Sequence, residues 1–341
     1  MTSTSGPNDL RGRRGYVGSR DQLFGVRSLR LDDEPGRGVR LLDVDTGGGL
    51  RFDVLTDRGL DIGRCTYRGV GIAWLSATGH VHPHRYERGG ENWLRGFGGG
   101  LLTTCGLQAI GAASSDDGRT WGLHGDASFL PASDVTYAID EEQNRIIVRG
   151  TLRDASALGA VLVLERTIAA EIGGASIRVS DRLLNEGPFD CEYALLYHVN
   201  IGYPLLSDTT VIDFPVGDVV EPSNEVAQRA IDRHLHGAPP DPDGQPEIFL
   251  HRVAGQGRVL VTNPATPIGP LRLELEYATE QLPLLWQWRY LRERIYVMGI
   301  EPATASVAGR AESRAAGYMR ALGRGESVSF GLTLRLDVPQ T

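Results

Sequence analysis

The stretch YALLYHVNIGYPLL, residues Tyr193–Leu206, alternates in the manner of a β-strand. Because side chains of a strand alternate between its two faces, one face carries Tyr193, Leu195, Tyr197, Val199 and Ile201. The other face carries Ala194, Leu196, His198 and Asn200. The first face is a core face. The second places an imidazole beside a carboxamide among small or apolar neighbours, where a buried polar group needs a partner or a ligand.

The same alternation recurs along the chain and predicts an all-β protein. It is clearest in SVSFGLTLRLDV (327–338) and LRLELEY (271–277), and it returns in RIIVRGTL, VLVLERTI and SIRVSDRLLN. Many of the 44 glycines fall in turns between these pieces. One helix is predicted in PSNEVAQRAIDRHL (222–235), capped by Ser223 or Asn224. No linker divides the chain, so we predict one β-sandwich-type domain over residues 1–341, with 1–15 as a flexible tail.

Composition excludes several classes of function. A net charge of -8 with dispersed arginines disfavours a nucleic-acid surface. No apolar run approaches the roughly 20 residues of a spanning helix, and the opening residues lack the apolar segment of a signal peptide, so we expect a cytoplasmic protein. The cysteines Cys65, Cys105 and Cys191 form no C-x-x-C pair, which indicates buried thiols rather than disulfides or a zinc site.

Three segments carry candidate chemistry. In WLRGFGGGLLTTCGL (93–107), Arg95 precedes a glycine cluster that lets backbone approach a ligand, although the P-loop pattern is absent. In WGLHGDASFLPA (121–132), His124 precedes Gly125; a structural or an exposed histidine is also compatible with this pattern. In RIYVMGIEPAT (294–304), alternation separates Tyr296, Met298 and Ile300 from Val297, Gly299 and Glu301. The Glu301 carboxylate therefore emerges beside a missing side chain.

The order LRGFGGGLLTTCGL, GLHGD, LLYHVNIGYPLL and GIEPAT resembles the galactose mutarotase-like superfamily, and within it an aldose 1-epimerase-like branch of bacterial proteins of unknown function. The resemblance spans most of the chain. It implies a single large antiparallel β-supersandwich with little helix, whose concave face holds a sugar. It also implies an enzyme that interconverts α and β anomers by acid/base ring opening and closure, with no metal and no organic cofactor.

Carried over by position, the resemblance implies that His198 is the general acid and Glu301 the general base. His124 would lie beside the ring oxygen, and Arg95 would bind substrate hydroxyls. We expect these four side chains to line one open cleft, with His198 and the Glu301 carboxylate separated by roughly the width of a sugar ring.

Other substrate-binding residues are less defined. Related enzymes hold sugar hydroxyls with an aspartate, for which Asp126, Asp213 and Asp243 are candidates, Asp126 being the one adopted here. The strand LPLLWQWRY offers Trp288 for stacking and Arg289 for hydrogen bonding. Neighbouring residues of a regular strand point to opposite faces, so at most one of these two faces the site.

Two other classes of function also fit the sequence. The spacing of His80, His82 and His84 could hold a divalent ion, but Pro83 interrupts the strand and no acidic ligand is near, so a loop at the rim of the cleft is favoured. A metal there would favour an isomerase or lyase acting on a modified or oxidised sugar. A non-catalytic carbohydrate-binding protein is the third class. The expected partner is a small-molecule sugar; the oligomeric state is open, with a homodimer as one option.

Overall fold

Strands are the dominant regular element of the computed structural model, which describes residues 10–214 and 219–339. The strands of the first half are β1 (Gly25–Arg30), β2 (Arg40–Asp45), β3 (Leu50–Leu55), β4 (Asp61–Tyr67), β5 (Val70–Gly71), β6 (Leu102–Leu107), β7 (Ser114–Asp116), β8 (Arg119–Trp121), β9 (Ser133–Asp140), β10 (Arg145–Ala155) and β11 (Val161–Glu171). Those of the second half are β12 (Ser176–Asn185), β13 (Cys191–Ile201), β14 (Val211–Asp213), β15 (Val219–Pro222), β16 (Glu247–Arg252), β17 (Gly257–Thr266), β18 (Gly269–Tyr277), β19 (Leu284–Tyr290), β20 (Val297–Ala303), β21 (Arg320–Leu322) and β22 (Ser327–Asp337).

Helices are few and short. They are α1 (Trp93–Gly96), α2 (Glu225–Ala230) and α3 (Arg310–Ala315), with 3-10 turns at Arg11–Tyr16, Arg20–Gln22, Pro83–Arg85, Ala127–Phe129 and Ile231–Arg233. The helix predicted in 222–235 begins as expected, because the Asn224 side chain accepts a hydrogen bond from the Ala227 amide. It ends earlier than the pattern suggested. No helix of the described residues is long and apolar enough to cross a membrane.

The described strands form two large antiparallel sheets and one hairpin. The large sheet runs β1-β2-β3-β4-β6-β13-β20-β19-β16-β15, with β5 on β4 and β21 on β13. The small sheet runs β14-β17-β18-β22-β12-β11-β10-β9, and β7 pairs with β8. Both sheets contribute to one hydrophobic core that includes Leu195 and Val199 of β13 and Leu332 and Leu334 of β22. The all-β sandwich expected from the alternation is confirmed.

The two faces of β13 separate as the sequence predicts. Tyr193, Leu195, Tyr197, Val199 and Ile201 pack in the core between the sheets. Ala194 and Leu196 belong to a second cluster on the opposite side, which we call the outer face of the large sheet. This second cluster combines outer-face residues with Trp93 of α1 and with Phe97, which follows that helix. The outer face of β13 is therefore covered by chain from the loop that precedes β6.

A buried ionic network lies beneath β13, inside the core. Arg166 of β11 donates to both carboxylate oxygens of Asp181 on β12, at 2.9 and 2.6 Å. It also donates to Thr104 at 2.8 Å and to Asp61 at 3.2 Å, and the Tyr197 hydroxyl donates to Asp181 at 2.6 Å. Because each guanidinium nitrogen has an acceptor and Asp181 supplies a carboxylate, the charge is compensated where water is excluded. The network links the small sheet to the strand that carries His198.

The predicted N-terminal tail is only partly described. Residues 1–9 lie outside the described residues. Within residues 10–15, Leu10 is buried against the core and a 3-10 turn follows it. The flexible tail stays a prediction for this segment.

Candidate active site

His198 and Glu301 meet on the outer face, where β13 and β20 are antiparallel neighbours. His198 Nε2 lies 3.1 Å from Glu301 Oε1. Gly299, which pairs with Asn200 across the two strands, leaves the space between them open. A Cβ atom at position 299 would collide with Glu301 Oε1 and lie 2.9 Å from His198 Cε1. The missing side chain noted in the sequence therefore makes room for the pair.

The expected separation of this pair by the width of a sugar ring is wrong. The two groups are in direct contact, and both residues are only 3% exposed. The pair lies under a cover of aromatic residues rather than in an open cleft. The close approach follows from strand pairing, because neighbouring strands lie about 4.8 Å apart and both side chains project from the same face.

Burial makes both members of the pair neutral. Removal from water raises the pKa of Glu301 to about 8, and no cation among the described residues opposes this shift. Burial, reinforced by the nearby His124, lowers the pKa of His198 well below its usual value. At neutral pH the pair is thus a carboxylic acid facing an uncharged imidazole. A protonated carboxyl can donate a proton, and an uncharged imidazole can accept one.

His124 is held beside the pair by its own backbone. Its ring centroid lies 5.8 Å from that of His198 and 4.7 Å from that of Trp93. His124 has a positive φ of 57°, an uncommon conformation for a residue with a side chain, and its amide donates to Gly111. The Gly111 amide in turn donates to His124 Nδ1 at 3.4 Å. Nδ1 is therefore an acceptor, which leaves the proton on Nε2, and burial lowers the pKa of the ring to about 4.

Aromatic rings surround the imidazole of His198. Phe97 lies 5.3 Å, Trp288 5.5 Å and Trp93 6.5 Å from it between ring centroids. Trp288 is half-buried and contacts Trp74 at 6.4 Å. Such a wall combines apolar faces with a few polar groups, the usual lining of a small-molecule site. Trp93, Phe97 and Trp74 were missed as site residues, because Trp93 lies in α1 and the other two lie in loops, where strand alternation assigns no face.

Two predicted substrate-binding residues lie elsewhere. Arg289 lies on the opposite face of β19 from Trp288, as the alternation required, and is 1% exposed. Its guanidinium contacts Glu247 at 3.2 Å and donates to the carbonyls of Arg233 and His236. Its placement as a substrate-binding residue is therefore wrong. Arg95 lies on the exposed side of α1 and lines a separate recess of 170 Å³, so the structure does not bring it to the pair.

The three candidate aspartates are far apart in the fold. Asp213 belongs to β14 of the small sheet, and Asp243 is exposed in the loop before β16. Only Asp126 is close to the site, two residues after His124. It accepts a hydrogen bond from Tyr86 at 2.8 Å and pairs with Arg88 at 3.3 Å. It faces a recess of 720 Å³ beside the His124 loop rather than the pair itself.

The histidine cluster does not form a ligand set. The rings of His82 and His84 are 4.6 Å apart, whereas His80 is packed separately near Gly63 and Gly98. Across the parts of the chain that the structure describes, no group of three or more His, Cys, Asp or Glu side chains is placed to hold a metal ion. His82 and His84 flank Pro83 at a 3-10 turn, and the expected place of this segment at the rim of a sugar cleft stays a prediction.

Comparisons with solved structures define the class of fold. The chain superimposes on a protein assigned provisionally to the aldose 1-epimerases, from Klebsiella pneumoniae, with a TM-score of 0.86 and 26% identity over 93% of this chain and 85% of that one. A galactose mutarotase-like protein from Clostridium acetobutylicum gives 0.64 and 13%, and galactose 1-epimerase from Lactobacillus acidophilus gives 0.62 and 12%. Both comparisons cover 93% of this chain and 100% of the other. The fold is galactose mutarotase-like.

The family follows from the sequence. Residues 36–336 match the profile described as Domain of unknown function (DUF4432), and the chain belongs to this family. No curated protein matches the chain significantly.

Proposed function

We propose that the protein is a sugar 1-epimerase that interconverts the α and β anomers of a small-molecule sugar. The observation that carries the proposal is the buried contact of His198 with Glu301 beside His124, among aromatic rings. Mutarotation needs one group that gives a proton and one that takes a proton, held within reach of the same sugar ring. A neutral carboxyl and a neutral imidazole supply both, without any change in total charge.

The reaction balances with these two groups alone. Glu301 gives its proton to the ring oxygen while His198 Nε2 takes the proton of the anomeric hydroxyl. The bond between the anomeric carbon and the ring oxygen breaks, and the anomeric carbon becomes an aldehyde carbonyl. After rotation about the adjacent carbon–carbon bond, the ring closes on the other carbonyl face, and both protons return. During closure the ionised Glu301 acts as base and the imidazolium of His198 as acid. For ring opening these roles are the reverse of those that the family resemblance implies, because burial leaves the proton on Glu301.

The neighbours of the pair support binding of a sugar. The faces of Phe97, Trp93 and Trp288 suit the C–H surfaces of a pyranose, and the Nε2–H of His124 is a donor for a ring or hydroxyl oxygen. His124 stays uncharged at neutral pH because burial lowers its pKa to about 4. It therefore donates a hydrogen bond without competing for the transferred proton.

The test is a panel of freshly dissolved single-anomer sugars, including neutral, phosphorylated and oxidised hexoses and pentoses. Anomer ratios are followed by polarimetry and by NMR, with and without the protein. We expect at least one sugar to equilibrate faster with the protein than in buffer alone. Binding of a sugar with no acceleration would favour a non-catalytic carbohydrate-binding protein instead.

A further inference from the structure

Three buried polar atoms around the pair lack a conventional hydrogen-bond partner among the described residues. They are Nδ1 of His198, Oδ1 of Asn200 and Oε1 of Glu301. The three residues are 3%, 0% and 3% exposed, so water does not offer an easy substitute. Buried polar atoms are nearly always paired, and three neighbouring exceptions call for one explanation.

The orientation of the Asn200 carboxamide follows from its surroundings. Its nitrogen Nδ2 points at acceptors: the carbonyls of Gly100 at 2.9 Å and of His198 at 3.0 Å, and the Thr103 hydroxyl at 3.4 Å. Two carbonyl acceptors require a donor there, so the amide cannot be turned around. Oδ1 is therefore an acceptor on the other side of the carboxamide, and it needs a donor.

The available donor is the His198 ring, two residues earlier on the same strand face. Burial lowers the pKa of His198 overall, and the neighbouring Asn200 carboxamide opposes that shift, although neither His198 Nδ1 nor Asn200 Oδ1 has a hydrogen-bond partner among the described residues. Nε2 of that ring is occupied by the contact with Glu301, so the nitrogen left for Asn200 is Nδ1. A ring nitrogen without an acceptor and an amide oxygen without a donor thus complete each other.

We propose that Asn200 is a positioning residue that holds His198 in the Nδ1–H tautomer, so that the exchangeable proton of the resting pair lies on Glu301. With Nδ1 protonated and the ring uncharged, Nε2 carries the lone pair. The atom facing it, Oε1 of Glu301, must then be the donor. This single arrangement satisfies all three atoms, and it assigns Glu301 as the acid and His198 as the base that first meet the closed sugar ring.

The groups around the pair are compatible with this arrangement. The titratable side chains facing it are His124 from the loop after β8 and Cys105 from β6. Burial keeps the His124 ring uncharged and holds the pKa of the Cys105 thiol well above its usual value. The other neighbours, Phe97 and Trp288, do not ionise. The pKa of Glu301, raised to about 8 by burial, agrees with a carboxyl that keeps its proton at neutral pH.

The experiment is 15N NMR of protein labelled at histidine, at pH 7, with His198 assigned by loss of its signals in His198→Asn. We expect a protonated Nδ1 and an unprotonated Nε2 for His198, and the opposite pattern for His124, whose Nδ1 accepts from Gly111. In Asn200→Ala the preference of His198 should be lost while His124 keeps its pattern. In Asn200→Asp a carboxylate acceptor should restore Nδ1–H and raise the pKa of His198.

Infrared difference spectra of wild type against Glu301→Gln supply a second readout that needs no change at Asn200. A protonated carboxyl band that disappears in the variant is expected at pH 7. The inference would be overturned by a carboxylate band in place of the carboxyl band. It would also be overturned by a His198 that is protonated at Nε2 or at both nitrogens, or by an unchanged tautomer in folded Asn200→Ala. It rests on the proposed function only for the catalytic meaning of the pair. The tautomers are read without turnover, so a protein with these spectra that interconverts no sugar would refute the proposed function alone.

Discussion

The contact between His198 Nε2 and Glu301 Oε1, at 3.1 Å with each side chain 4% exposed, differs from an ion pair that stabilises the fold. In a stabilising ion pair the cation lowers the pKa of the carboxyl. Here burial raises that pKa to about 8, and the imidazole is neutral. The buried environment disfavours the charged forms of both side chains. It leaves Glu301 able to give a proton and His198 able to accept one. Strongly shifted pKa values at one place are typical of active sites.

The space left by Gly299 is the first point to test. In Gly299→Ala the new methyl group would collide with Glu301 Oε1 and push against His198, so the pair must separate. We expect turnover to fall by at least about tenfold, since misplacing a reacting group by about 1 Å can cost a hundredfold. Gly71→Ala is the control, because its Cβ would meet its nearest neighbour at 3.5 Å. Equal activity of both folded variants would contradict the geometry.

Stability should depend on pH through Glu301. Its pKa is raised from 4.5 to about 8, so the folded state binds a proton that the unfolded state has lost, and stability falls as pH rises towards 8. His124 acts in the opposite sense, because its pKa is lowered from 6.5 to about 4 and stability is lost as pH falls through that range. Between pH 6.5 and 8 the Glu301 effect remains, worth about 1.4 kcal/mol per pH unit as an upper value.

Denaturant unfolding at several pH values measures this effect. Wild type should lose stability between pH 6.5 and 8, whereas Glu301→Gln should be nearly flat there. The acid limb below pH 6.5 should flatten in His124→Gln instead. An equal slope in wild type and Glu301→Gln across that window would mean that Glu301 is already ionised in the folded protein.

The buried network of Arg166 should contribute strongly to stability. Asp181→Ala would leave the fully buried guanidinium without its main carboxylate, which typically costs about 3–5 kcal/mol. Glu165 and Arg182 form the matched control, since they pair across the same two strands on the exposed side. Glu165→Ala should cost less than about 1 kcal/mol. Comparable losses in urea unfolding would contradict the role assigned to burial.

Metal removal should leave activity unchanged. The proton transfers need only a carboxyl and an imidazole, and the described residues contain no set of side chains suited to a metal. Activity on the best sugar of the panel is therefore expected to survive dialysis against a strong chelator. Loss of activity that one specific divalent ion restores would favour an isomerase or lyase mechanism.

Strand periodicity predicted much of this site. It placed His198 and Asn200 on one face of β13, put Glu301 beside the open position of Gly299, and required Trp288 and Arg289 to diverge. It could not set the distance between His198 and Glu301, because residues 103 apart in sequence meet only through strand register. Side chains in loops follow no two-residue period, so their directions could not be predicted in this way.

Other features of the structure also could not be predicted from strand alternation. The exposed Arg95 and the aromatic cover from Trp93 and Phe97 depend on how one loop folds over the sheet. The strand pattern of VLVLERTI did not single out Arg166 as a buried charge. Its acceptor, Asp181, becomes apparent only once β11 and β12 are paired.

The central claim is tested most directly by exchange NMR of the two anomers of the best sugar, with wild type and Glu301→Gln at equal concentration. Glutamine keeps the volume of the side chain but can neither give nor take the proton. We expect the exchange rate to fall by about a hundred- to ten-thousand-fold while sugar binding persists, the usual worth of acid–base catalysis. His198→Asn should lose a similar factor, and the double variant much less than the product of the two. Wild-type exchange in folded Glu301→Gln protein would contradict the mechanism.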